Sequence, residues 1–158
     1  MHCVSDCMRT QVFTVNVGAT LVEAMRIIRG HMVGIVPVID RERHVAGVLV
    51  LDDLLTEFMP KFVQVLRKTD FVQDYSKFEM GPPTADLLDK PLSELMRPPY
   101  HLSETSSLME AMVFMHNHQV VDVPVIDADK RLVGIVSRVR VGSLFLMDWL
   151  NKKSEWSE

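Results

Sequence analysis

Short apolar runs alternate along the chain with segments whose apolar positions recur every three or four residues, and the alternation happens twice. In "TLVEAMRIIRG" (20–30), Leu21, Ala24, Met25 and Ile28 fall on one stripe of a helix. Thr20 stands where an N-cap belongs and Glu23 follows three residues on, the spacing of a capping box. "SLMEAMVFMHNH" (107–118) repeats the scheme, with Ser107 as cap and Glu110 reaching back. Each helix is followed by a β-branched run (34–39, 120–126), polar turn residues ("DRERH", "DADKR") and a second apolar run (45–51, 132–136). Two runs joined this way predict a hairpin. Helices are expected next at 52–59 and 138–150, and short strands earlier, near 12–15 and 100–102. Each half therefore reads β-α-β-β-α.

The halves are copies of one another. Setting 21–50 against 108–137 pairs Leu21 with Leu108, Glu23 with Glu110, Ala24 with Ala111 and Met25 with Met112. His31, Val33, Val36 and Gly47 meet His118, Val120, Val123 and Gly134, and "PVID" (37–40) meets "PVID" (124–127). Upstream, "SDCMR" (5–9) answers "SELMR" (93–97). Self-similarity of this kind decides the fold before anything else does. One unit of about 50 residues has too few layers to close a core. Two units can bury their sheets against each other about a pseudo-twofold axis. The expected class is α/β (α+β), two β-α-β-β-α units packed sheet to sheet. That packing leaves two related clefts lined by sheet edges and helix N-termini, the kind of place where small ligands sit.

The expected boundaries are 1–59 for the first unit, 60–91 for an insertion and linker, 92–150 for the second unit and 151–158 for a polar tail. In the insertion Leu55, Phe58, Met59, Phe62, Val63 and Leu66 recur at helical spacing, and Pro60 should kink or restart that helix. "GPPTADLLDKP" (81–91) resets the chain for the second unit.

Composition narrows the possibilities. Nearly half the residues are apolar and 24% charged, as in an ordinary globular chain. A net charge of −4 offers no basic field for nucleic acid. Asp, Arg or His interrupts every apolar run before the ~18 residues of a membrane span. No signal-peptide pattern opens the chain. Cys3 and Cys7 lack a second pair or a matching His pair, so they read as free thiols of a reducing compartment, which favours the cytoplasm. His116 and His118, one residue apart near a helix end, point to different faces. They and His31 read as helix-end cations rather than metal ligands.

The repeated "MR…TLVEAM…GIVPVID…VAGVLVLDDLL" and "MR…SLMEAM…VDVPVID…LVGIVSRVRV" resemble a tandem pair of cystathionine-β-synthase (CBS) domains, a Bateman module, over roughly 4–59 and 92–146. The resemblance implies a non-enzymatic regulatory module whose clefts bind adenosine-containing ligands such as AMP, ADP, ATP or S-adenosylmethionine, with no cofactor required. It implies that an acid at the start of the last helix holds the ribose hydroxyls. A Ser or Thr three residues earlier helps hold phosphate. A carboxylate suits a diol because it only accepts, and a helix N-terminus suits phosphate.

Carried onto this chain, the first cleft would comprise Thr10, Gln11, Val12, Ile35, Val36, Pro37, Val50 and Asp53. The second, weaker one would comprise Pro99, Tyr100, Asp122, Val123, Pro124, Ser137, Arg138 and Arg140. Neither copy of the junction is complete. The first keeps the acid, Asp53, but has Val50 in place of the hydroxyl; the second keeps Ser137 but has Arg140 in place of the acid. Asp53 either holds ribose or merely favours a helix start. Arg140 only donates, so the second cleft either takes phosphate with Ser137 and Arg138 or has lost its ligand to an Asp122–Arg140 or Asp122–Arg138 pair.

A homodimer is expected, with "VGSLFLMDWL" (141–150) as one candidate surface through Leu144, Phe145, Met147 and Trp149. No effector domain is visible, so an output would act on a protein partner in trans. An enzyme would need Ser137, His101 or His116, and Asp122 to converge, and no local motif places them together. A structural or dimerisation module with degenerate, non-binding clefts is the alternative to sensing. No nucleic acid or membrane partner is expected.

Overall fold

A computed structural model describes residues 2–59 and 81–153. After a 3-10 turn at Val4–Asp6 the chain forms β1 (Val15–Asn16), α1 (Leu21–His31), β2 (Ile35–Ile39), β3 (Val45–Val50) and α2 (Leu51–Phe58). Two one-turn helices follow, α3 (Ala85–Leu88) and α4 (Leu92–Leu95). The second unit is β4 (Leu102–Ser103), α5 (Leu108–Asn117), β5 (Asp122–Ile126), β6 (Leu132–Ser137) and α6 (Arg138–Lys153). The repeat therefore shows as two β-α-β-β-α units, with the first strand of each lying slightly later than its apolar run suggested. The stripe through Phe62, Val63 and Leu66 lies outside the described residues. Among the described residues no helix is long and apolar enough to cross a membrane.

Each unit holds a three-stranded sheet, β1-β2-β3 or β4-β5-β6. The first pair of strands is parallel and the second antiparallel, with matching registers: Ile35 faces Val50 as Asp122 faces Ser137, and both ladders shift at the same step. The "PVID" residues account for this. Asp40 Oδ1 accepts from the Glu42 and His44 amides (2.9 and 2.8 Å), and Asp127 Oδ1 accepts from those of Asp129 and Arg131 (both 2.9 Å). These Asx turns hold the hairpins, with Arg43 and Lys130 in the left-handed region (φ 70° and 62°). At the helix starts, Thr20 and Glu23 form the expected reciprocal box, and Ser107 accepts from the Glu110 amide.

Proline in a middle strand normally breaks a ladder. Here Pro37 faces Val48 and Pro124 faces Ile135. Val48 exchanges both its backbone bonds with Arg97 (3.2 and 2.9 Å), and Ile135 exchanges both of its own with Arg9 (2.9 and 2.8 Å). Each Pro thus sits opposite a residue whose polar groups point away from it, in a non-hydrogen-bonded pair where a missing N–H breaks no bond.

Those same bonds show that the units exchange segments. The stretch that carries the first "MR" lies on the second unit: the Val4 amide donates to Ser106 O (2.8 Å), that of Ser5 to Glu104 O (3.0 Å), and Val4 and Cys7 are buried in the second unit's core. Conversely, Leu87, Leu92, Leu95 and Met96 pack into the first unit's core. Each core is completed by residues that precede the other unit in the chain. Between the sheets, Ile35, Val48 and Ile135 make a seam flanked by Val12, Val45, Val50 and Tyr100.

The repeated Gly supplies the seat for this exchange. A Cβ on Gly134 would lie 2.6 Å from Met8 Sδ and 3.1 Å from Arg9 O, and one on Gly47 would collide with Met96 still more closely. Gly134→Ala and Gly47→Ala are each expected to destabilise the fold by about 1–3 kcal/mol by overpacking. Urea denaturation monitored by circular dichroism should show a lower midpoint in both variants.

Candidate functional site

The segment exchange decides what lines each cleft. The first is a cavity of about 410 Å³ between β2, the start of α2, the Arg97–Tyr100 segment and the start of β5. The second, about 170 Å³, lies between Arg9, the start of β2 and the start of α6. Ligand pockets usually run to about 300–1,000 Å³, so only the first has room for a nucleoside-sized molecule. The two share Gly34, Ile35 and Asp122.

Both helices that open onto these clefts are tied down in the same way. The first amide of α2, on Leu51, donates to Gly34 O (2.9 Å), and that of α6, on Arg138, donates to Val121 O (2.7 Å). Ser137 Oγ then accepts from the Arg140 amide (3.3 Å), so this hydroxyl caps a helix as well as facing the second cleft.

The structure distributes the residues expected from the sequence differently over the two cavities. Tyr100 lines the first cleft with Val50, not the second with Arg140, because the second unit's "MR" segment crosses to β3. Thr10 and Gln11 are exposed and line neither cavity, and Val12 packs at the seam. Val36 and Val123 are fully buried in the two cores; Pro37 and Pro124 are buried in their strands and Pro99 is exposed. Ile35, Val50, Asp122, Ser137 and Arg140 do reach a cavity.

Asp53 lines neither cavity. Both its oxygens accept from Arg97, Oδ2 from Nε (2.6 Å) and Oδ1 from Nη2 (2.8 Å), a bidentate ion pair joining α2 to the second unit's segment. Its neighbour Asp52 faces the first cleft instead. The proposed Asp122 pairs do not form either. Arg140 Nη1 donates to Cys7 O (3.3 Å), and Arg138 Nη2 donates to Met115 O and Val120 O (2.9 and 3.0 Å), closing the end of α5.

Asp122 is consequently left without a hydrogen bond or ion pair among the described residues. It is half-buried, and this burial raises its carboxyl above the ordinary range, with the Arg9 charge pulling the other way. Tyr100 is likewise short of a partner: its hydroxyl is buried and unbonded, and burial pushes its pKa up to about 12. Arg9 Nε is the other orphan, in the wall of the second cleft. A buried polar group left unpaired costs about 1–3 kcal/mol, so these groups mark the clefts as places where fold stability is not maximised.

Arg9, Arg97, Asp52 and Gly34 line the cavities in addition to the residues expected from the sequence, and the repeated "MR" displays both arginines. Two of the helix-end histidines meet aromatic rings: His31 stacks on Phe13 (ring centroids 3.5 Å apart), and His118 lies tilted against Phe114 (4.2 Å). Asp40, Glu42 and His44 bring ligand-type atoms within 4.8 Å of one another, a cluster that the hairpin's own hydrogen bonds explain.

Comparison with known proteins agrees with this fold. The CBS domain family matches twice, at residues 4–60 and 92–141. No curated protein matches the chain in sequence. Among solved structures, CBSX2 in complex with AMP is 23% identical with a TM-score of 0.68, covering 93% of this chain and 98% of that one; CBSX2 comes from Arabidopsis thaliana. The CBS domain pair of MJ0100 with 5′-methylthioadenosine and S-adenosyl-L-methionine is 19% identical, with a TM-score of 0.67 and coverages of 93% and 98%. The CBS domain of a bacterial CNNM/CorC family Mg²⁺ transporter, in complex with ATP, is 20% identical, with a TM-score of 0.63 and coverages of 88% and 83%. At these identities the likeness shows the fold. With both units matched by the family and each completed by a segment of the other, the chain is a tandem pair of CBS domains and belongs to that family.

Proposed function

We propose that the chain is a regulatory module, not an enzyme, that binds an adenosine-containing ligand in the first cleft and signals through the relative orientation of its two units. The observation that carries this reading is the half-buried, unpartnered carboxylate of Asp122 in a cavity of about 410 Å³. Ile35, Val50 and Tyr100 offer apolar surface for a base, and Asp122 offers the acceptor that a ribose diol or an exocyclic amine needs. Asp53 serves indirectly, by holding Arg97 in the cleft wall. The complexes of related CBS structures with AMP, 5′-methylthioadenosine, S-adenosylmethionine and ATP support the adenosyl class.

A ligand bridging Val50 on one unit and Asp122 on the other has differential contacts with open and closed arrangements, as any population shift requires. The output passes to a protein partner in the cytoplasm, from a homodimer. The exposed Leu146, Met147, Trp149 and Leu150 of α6 are the apolar surface for self-association, whereas Leu144 and Phe145 pack on the second core.

Calorimetry and thermal shift with AMP, ADP, ATP and S-adenosylmethionine test the reading. At least one should bind; the reading fails if none gives heat at millimolar concentration. Val121 is exposed at the rim of the first cleft, so Val121→Trp should narrow the cavity and reduce the ligand-induced shift while leaving the ligand-free melting temperature close to that of the parent.

Asp122 should also reveal itself in ligand-free stability. Its folded-state pKa lies above the unfolded one, so its ionisation opposes folding. That penalty is absent below the unfolded carboxylate pKa and complete once pH exceeds the raised value. Asp122→Asn is therefore expected to stabilise the ligand-free protein at neutral pH, by about 0.5 kcal/mol given the remaining solvent access. The gain should disappear on acidification, as read by denaturation of both proteins across pH.

A further inference from the structure

The charges around the first cleft discriminate among adenosyl compounds. Two carboxylates, Asp52 and Asp122, line its wall with the guanidinium of Arg97, and Arg9 acts on Asp122 from the side of the second cleft. The Arg97 guanidinium is already engaged by Asp53 through two short bonds, so its charge is largely answered within the protein. The features that usually receive a phosphate are missing. The leading amide of α2 is donated to Gly34 O. Asp52 and Asp53 occupy the first turn of that helix, where they answer its positive end. Val50, directly before the helix, has no hydroxyl to donate.

The second cleft has the opposite balance. Arg9 and Arg140 face it against Asp122 alone, and Ser137 keeps its hydroxyl. Since the backbones of the two units match strand for strand, this difference lies in the side chains.

We propose that the first cleft selects adenosyl compounds without phosphate, neutral or cationic at the 5′ position, over adenine nucleotides, and that Asp122 is the main determinant of that selectivity. Asp122 is the natural candidate because its counterpart in the first unit is Ile35, which lines the same cavity with no charge. A phosphate brought beside a partly desolvated carboxylate meets a repulsion that water screens poorly. A thioether meets none, and a sulfonium or ammonium is attracted.

This inference rests on the adenosyl reading above, and one experiment separates the two. Titrate 5′-methylthioadenosine, S-adenosylmethionine, AMP and ATP into the protein by calorimetry at low ionic strength, then repeat with Asp122→Asn. The expected result is that the two thio compounds bind at least about tenfold more tightly than AMP and ATP, and that the preference for methylthioadenosine over AMP shrinks by about tenfold in Asp122→Asn. AMP or ATP binding as tightly as the thio compounds overturns the selectivity while leaving the adenosyl reading intact. A preference unchanged in Asp122→Asn overturns the role of Asp122. No binding by any of the four overturns both.

Discussion

Everything in this molecule depends on a methionine laid against a glycine across the unit boundary. Met96 covers Gly47 and Met8 covers Gly134. Beside each, an arginine backbone exchanges two hydrogen bonds with the adjoining strand residue, Arg97 with Val48 and Arg9 with Ile135. The contact covers the otherwise open edges of β3 and β6. It also carries Leu92 into one core and Val4 into the other. A unit of three short strands and its helices cannot close a core of this size by its own sequence-local residues. Reciprocal completion makes one body of the pair, and it draws the walls of both clefts, because Tyr100 and Arg9 arrive on the exchanged segments.

The fold was legible because its determinants are local and duplicated. Asp40 and Asp127 staple hairpins two and four residues ahead, and Thr20 caps with Glu23 three residues away. Signals at such separations survive in the sequence as spacing. What was not legible is which segment faces which strand. Thr10, Gln11 and Val12 follow the first "MR" in the chain, and the family resemblance assigns them to the first cleft. Only the tertiary exchange places Tyr100 with Val50, and nothing in the local pattern distinguishes crossed from uncrossed packing. The repeated "MR" and Gly were both visible, yet their steric complementarity appears only when Gly134 is found beneath Met8.

The candidate site was legible in part, and for a related reason. Asp53 was singled out by its position at the strand-to-helix junction, a position that fixes the residue on the helix but not the direction of its carboxylate. Arg97, which is remote in sequence, fixes that direction and removes Asp53 from the cavity wall. For Asp122 the sequence allows an internal pair with Arg138 or Arg140. Arg138 and Arg140 instead satisfy backbone carbonyls, so the carboxylate remains free.

Duplication therefore supplies a symmetric frame on which unlike chemistry has been placed. The two helix starts are anchored by equivalent bonds, Leu51 to Gly34 and Arg138 to Val121, so the clefts differ in what their side chains offer rather than in how their backbones are held. They are nevertheless not independent, because Asp122 belongs to both walls. Asp122, where the first unit has Ile35, is thus one of several departures from the repeat, with Val50 against Ser137, that make the two clefts unlike.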